Sequence, residues 1–152
     1  MSAFAYGRIV QQQATAATPR ILTGTDKLIL AVAALIPTEV IAGHAYLLGR
    51  LTTTDAAGTT TVTDAPALRV AMVVLLALSF LPFVVGRGTK DWKGSDWVRF
   101  LLPPAAFLAW TMLIGTSALT PWVAGRVPAD ALAIVGVLLG FVLIFVKRYV
   151  TP

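Results

Sequence analysis

The chain contains no cysteine, so disulfides, thiolate metal sites and cysteine nucleophiles are excluded from the outset. Its one histidine, His44, cannot build a histidine-based metal centre alone. Glu39 is its one glutamate, and the aspartates are scattered among polar connections. There is no phosphate-binding glycine loop, no GxSxG elbow, no HExxH helix and no pair of catalytic carboxylates. Neither enzymatic activity nor a cofactor or metal is expected. No repeat of 20–50 residues is visible, which removes support for a repeat-built transporter. No secretory signal peptide is expected either, because the first apolar run starts near residue 28 without a small-residue cleavage pattern after it.

Charge is also scarce. Only 12% of the residues are charged, against about 25% in a soluble domain. The 57% that are hydrophobic collect into four runs, from about Leu28 to Leu51, Leu68 to Val85, Trp97 to Leu119 and Ala131 to Val150. About 20 apolar residues carry a helix across the hydrocarbon core. The runs do not alternate as barrel strands do, and lipid leaves no solvent for unpaired backbone groups, so helices are the expected form. The sequence therefore predicts an all-α membrane protein: a four-transmembrane-helix bundle with short loops over residues 27–152, preceded by a cytoplasmic N-terminal tail over residues 1–26. Asp64 with Pro66 offers a start signal for the second helix, Ser95 or Asp96 for the third, and Val127–Asp130 for the fourth. The stretch Gly86–Gly88 stops the second helix, and Lys147 and Arg148 suit a helix C-terminus.

The net charge of +5 raises the question of nucleic acid. The cations stand at the ends of the apolar runs, which points to orientation in a bilayer instead. With four crossings, Arg8, Arg20, Lys27, Arg87, Lys90, Lys93, Arg99, Lys147 and Arg148 share one side, against Arg50, Arg69 and Arg126 on the other. Cytoplasmic segments carry such an excess. The expectation is a multi-pass protein of the cytoplasmic (inner) membrane with both termini cytoplasmic, the bilayer as its main partner and no role for nucleic acid.

Two connections carry further signals. In "LTTTDAAGTTTVT", threonine favours strands and "DAAG" suits a four-residue turn, so a small hairpin and a flexible polar loop are both open. In "GRGTKDWKGSDWVR", Arg87, Lys90, Trp92, Lys93, Trp97 and Arg99 suit anchoring to anionic headgroups, or docking of a cytoplasmic protein partner.

Glu39 falls about eleven residues into the first run, some 16 Å deep at the helical rise. An ionised carboxylate there costs about 2.5–3.5 kcal/mol, so it is expected to face the bundle interior or a wet cavity. Pro37 predicts a kink beside it, with Thr38 or water serving the carbonyl that the proline frees. On its helix face stand Ala42, Gly43, Tyr46 and Arg50, and Trp110, Thr111 and Ser79 are candidate partners from other helices. His44 lies about 140° around the same helix and is poorly placed to pair with it. Glu39 reads either as a proton or ion site or as an acid tying helices together; the shortage of other polar groups in the runs favours the second. Gly136 and Gly140 form a GxxxG pattern, which serves packing inside the chain as well as dimerisation.

The stretch "LIPTEVIAGHAYLLG" resembles small multi-pass membrane proteins of high-GC bacteria in which an Ile-Pro-x-Glu element sits inside the first span. The resemblance implies the four-span layout and brings no activity. The functional expectation is a protein that associates into a homo-oligomer as a small channel or pore, of the holin-like or defence type. The alternative is an anchor or scaffold subunit of a larger complex.

Overall fold

The computed structural model describes residues 23–87, 94–123 and 125–150. Residues 1–22 of the tail expected over 1–26, and Lys90, Trp92 and Lys93 of the basic loop, lie outside the described residues.

Helix α1 spans Gly24–Ala33 and opens on a capping box. The Asp26 amide donates to the Thr23 hydroxyl at 3.3 Å, and the Asp26 carboxylate accepts the Thr23 amide at 3.1 Å and its hydroxyl at 2.8 Å. Helix α2 spans Thr38–Leu51. Between them the chain turns sharply. Pro37 has no amide to continue a helix, and its ring pushes Ile36 away from helical geometry. The last amides of the first segment close a tight turn, Leu35 onto the Val32 carbonyl and Ile36 onto that of Ala33, both at 3.0 Å.

The two axes meet at 112°. The single kinked helix expected over residues 28–51 is therefore two helices. Beyond a right angle, α2 runs partly back toward the side from which α1 came.

Strands β1 (Thr52–Thr54) and β2 (Thr60–Val62) follow as an antiparallel hairpin with Thr53 opposite Thr61 and Thr54 opposite Thr60. Hydroxyl pairs bridge both rungs, at 3.1 and 3.0 Å. The Asp55 carboxylate accepts the Thr59 amide at 2.8 Å, and Gly58 takes the left-handed conformation (φ 82°) that closes the turn. Of the two readings of this loop, the hairpin is the one that forms.

Helix α3 (Ala65–Leu78) is capped by Asp64, which accepts the Ala67 amide at 2.9 Å. A short turn at Ser79 and Phe80 leads to α4 (Leu81–Arg87). Helix α5 (Gly94–Leu113) contains Pro103 and Pro104. It stops six residues before the expected end at Leu119, and the chain from Ile114 to Leu119 is not helical, though Ile114, Ser117 and Ala118 are buried. There the Ser117 amide donates to the Thr120 hydroxyl at 2.9 Å, and the Leu119 amide to the Ser117 hydroxyl at 3.2 Å. A single turn, α6 (Thr120–Val123), precedes α7 (Ala129–Val150).

The stretches Ala65–Gly86 and Ala129–Arg148 are each long and apolar enough to cross a membrane. Between the charged residues near their ends, their outward faces are apolar: Val70, Val73, Val74 and Leu78 on one, Ile134, Leu138, Phe141 and Val142 on the other. Such faces belong in lipid, and the chain is a membrane protein with transmembrane helices. Helix α5, with Asp96 and Arg99 near its start, is less apolar, though its 20 residues reach about 30 Å. The α1–α2 pair attains spanning length only as a bent unit. Four straight spans are thus not what forms.

Glycines set how the helices approach. A Cβ on Gly136 would lie 2.9 Å from Met112 and 3.2 Å from the Ala109 carbonyl, so α7 rests directly on α5. A Cβ on Gly140 would lie 3.0 Å from Val32 and 3.4 Å from Leu28, so the same helix also rests on α1. Both glycines of the GxxxG pattern are used inside the chain. Gly43 of α2 faces Leu75 of α3 in the same manner.

These contacts order the ends. Thr23 and Asp26 of α1 meet Asp130 and Ala133 of α7 around one recess, while Leu28 and Val32 meet Gly140 further along. Helices α1 and α7 therefore run in the same direction. At that same end Arg69 of α3 donates from Nε and Nη2 to the Pro121 carbonyl, at 3.2 and 3.0 Å, and its guanidinium lies 5.9 Å from the Trp122 ring. The start of α1, the hairpin and the α5–α7 connection thus share one end of the bundle. The opposite end carries an aromatic cluster, with Phe100 of α5 4.6 Å from Phe80, 5.9 Å from Phe83 and 6.0 Å from Trp97.

Candidate functional site at the broken first helix

Helix α2 has two faces of different chemistry. The buried face repeats every fourth residue, at Val40, His44 and Leu48. His44 is wholly buried. Its Nε2 accepts the Ala118 amide at 3.1 Å, across 74 residues of sequence. Trp110 presents a T-shaped contact at 5.0 Å and Phe107 one at 5.8 Å. An amide hydrogen aimed at Nε2 leaves no room for a proton there, so the imidazole carries its hydrogen on Nδ1. Nδ1 is buried with no hydrogen-bond partner among the described residues. The buried, irregular stretch around Ala118 is thus fastened to α2 by a side chain, where a helix would have fastened itself. In a 15N NMR spectrum of histidine-labelled protein at neutral pH, His44 is expected as the Nδ1–H tautomer. An Nε2–H pattern would remove this bond.

The opposite face of α2 carries Glu39, Ala42, Ala45, Tyr46, Gly49 and Arg50, all exposed. This corrects the expectation that Glu39 is sheltered in the interior. Trp110 and Thr111, expected as its partners, are buried away from it: Trp110 packs against His44, and the Thr111 hydroxyl donates to the Leu108 carbonyl at 2.8 Å. Ser79, likewise expected, donates to the Leu76 carbonyl at 2.6 Å. The physical reason is the break at Pro37. It makes residue 38 the start of a new helix, and burial of Val40, His44 and Leu48 then turns residue 39 outward. The offset that separates Glu39 from His44 around the helix, expected from the sequence, holds.

No hydrogen bond or ion pair serves the Glu39 carboxyl among the described residues. Its position in the first turn of α2 supplies one favourable term, because an acid suits a helix N-terminus. Pro37 provides no side-chain cap, so the amides of Thr38 and Glu39 find no acceptor among the described residues. The depth of this group follows from Gly43, which faces Leu75, about 15 Å along α3 from its start. Glu39 lies one turn further, roughly 20 Å along α3, within the length of about 30 Å that crosses a hydrocarbon core.

No protein family, curated protein or solved structure that was compared matches this chain. The site is therefore read from its own chemistry.

Two other places were open to a function. A half-open recess of about 480 Å³ lies between α1, α5 and α7 at the hairpin end. Its polar atoms are largely engaged, Asp26 in the capping box and Ser117 and Thr120 in the turn they hold. No group of three or more metal-ligating side chains occurs among the described residues. Of the residues expected to dock headgroups or a partner, Trp97 is 54% exposed and Arg99 half-buried. Sequence reasoning gave His44 no role beyond excluding a pair with Glu39. The signal was present in the stripe Val40–His44–Leu48, one imidazole on an otherwise apolar helical face.

Proposed function

We propose that this chain is an integral membrane protein with three crossings, α3–α4, α5 and α7, and a re-entrant pair, α1–α2, which enters and leaves by the same face. It self-associates through that pair into a small assembly of the channel or pore type. One observation carries the reading: Glu39 and the uncapped start of α2 stand on the outside of the bundle, level with the interior of the apolar stretch Ala65–Gly86. Irregular backbone at that depth is tolerated only where protein covers it or water reaches it. An ionised carboxylate facing acyl chains costs about 2.5–3.5 kcal/mol. A single copy gives these groups neither cover nor water, and an assembly gives one or both.

The re-entrant path also changes the charge count. With the residues preceding Thr23 counted at the hairpin end, six cations fall there (Arg8, Arg20, Lys27, Arg50, Arg69, Arg126) and six at the other. An even count has no power to orient the chain.

Purified in mild detergent, the protein is expected to have the mass of a homo-oligomer and to conduct ions in liposomes. Glu39→Leu, which suits lipid, is expected to shift the mass toward the monomer and abolish the conductance. A wild-type monomer that stays monomeric in liposomes overturns the reading. Anchoring of a larger complex is the second reading, favoured by the exposed Trp97 beside the basic loop; recovery of a different protein at fixed stoichiometry, lost in Trp97→Ala, selects it.

A further inference from the structure

We propose that the Glu39 site is completed by Glu39 of a second copy, in a two-fold contact of α2 on α2, where the two carboxyls hydrogen-bond as acids and repel when ionised. The proposal rests on the self-association reading and names the partner. Copies inserted in the same sense are related by rotation about the membrane normal, so each residue meets only residues at its own depth. At the level of Glu39 the other exposed surfaces offer Val74 and Leu78 on α3, Leu101 on α5, and Leu138, Phe141 and Val142 on α7. All are apolar. Among the described residues, only the first turn of α2 brings exposed polar side chains to that depth, Thr38 and Glu39, and Glu39 alone of them is ionisable. A self-matching contact is the form a two-fold axis gives.

The rest of the stripe fits close approach. Ala42, Ala45 and Gly49 follow Glu39 on the exposed side, and small residues let membrane helices meet backbone to backbone. Other titratable groups stand elsewhere. Tyr46 and Arg50 lie further along the same face, Arg50 about 16 Å away. His44 lies on the opposite face. Asp26 and Lys27 of α1 and Arg69 of α3 belong to the hairpin end, and Asp96, Arg99 and Lys147 to the far end. No other charged group therefore reaches the carboxyl pair. Two ionised carboxylates in contact oppose each other's charge, so the contact holds through a hydrogen bond between the carboxyls.

The chain is free of cysteine, so a single introduced thiol reports one surface. In membrane vesicles Ala42→Cys is expected to form disulfide dimers, and Val73→Cys and Leu138→Cys are not. By sedimentation in mild detergent, Glu39→Leu is expected to raise the Kd about tenfold, because leucine gives the pair no hydrogen bond. Glu39→Gln, which keeps a hydrogen-bonding amide, is expected to stay associated. An oligomer cross-linked through residue 73 or 138 in place of 42 overturns the α2 contact while self-association stands. Cross-linking at 42 that Glu39→Leu leaves undiminished overturns the carboxyl pair. A monomer with no cross-link at any site overturns both, and a different protein held at Glu39 overturns the second copy.

Discussion

Gly136→Leu is expected to dismantle the bundle. An ideal Cβ at residue 136 stands 2.9 Å from the Met112 Cβ, 3.2 Å from the Ala109 carbonyl oxygen and 3.2 Å from Leu113. The carbonyl oxygen and the Met112 Cβ are fixed to the backbone of α5, so neither can turn aside as a side-chain tip would. Even alanine forces the two helices apart, at about 1–3 kcal/mol for overpacking. Leucine exceeds that range, and stabilities of about 5–15 kcal/mol leave little reserve. Gly140→Ala should cost less, because it meets the tips of Val32 and Leu28 at 3.0 and 3.4 Å. Gly86→Ala meets nothing within 4 Å, and in a helix it is expected to be neutral or to gain up to about 1 kcal/mol. Midpoints of unfolding in mixed detergent micelles measure the series. An order other than Gly136→Leu far below Gly140→Ala, with Gly86→Ala highest, would contradict the α5–α7 contact.

Reporters joined ahead of residue 1 and after residue 152 are expected to give opposite answers. If α1–α2 enters and leaves by one face, three crossings separate the chain ends. A fluorescent protein that matures only in the cytoplasm should light at one terminus, and alkaline phosphatase, active only beyond the membrane, should work at the other. Single thiols at Thr25 and at Ala57 in the hairpin should both react with an impermeant reagent from one side, and a thiol at Arg148 from the other. Two termini on one face would mean that α1–α2 crosses as a bent span in spite of its 112° angle. The effect is all or none, which makes it the decisive measurement for the layout.

The contrast between the first apolar run and the others shows what hydropathy can carry. Ala65–Gly86 and Ala129–Arg148 were legible because a long apolar run has one low-energy use in lipid. The run from Leu28 to Leu51 looks the same on that measure, since hydropathy records depth and is blind to direction. Pro37 marked where regular geometry fails. Whether the chain resumes its course or doubles back depends on neighbours, here the seat of Leu28 and Val32 on Gly140 and of Gly43 on Leu75. The threonine hairpin was half legible, because its turn chemistry is local. The outward turn of Glu39 was not, because it follows from which side of α2 the segment around Ala118 reaches. The end of α5 at Leu113 was hidden for a related reason: the residues beyond it are apolar enough for a helix, and it is the bond from the Ala118 amide to His44, with the Ser117–Thr120 turn, that holds them in another shape.

The grip of Arg69 on the Pro121 carbonyl ties α6, in the α5–α7 connection, to α3. Two parallel N–H groups on one oxygen, with the guanidinium beside the Trp122 ring, resist sliding and twisting together. A tilt of α3 then pulls on α6 through this contact. Lysine at position 69 would keep the charge but give up the planar fork, and the two helices would move independently.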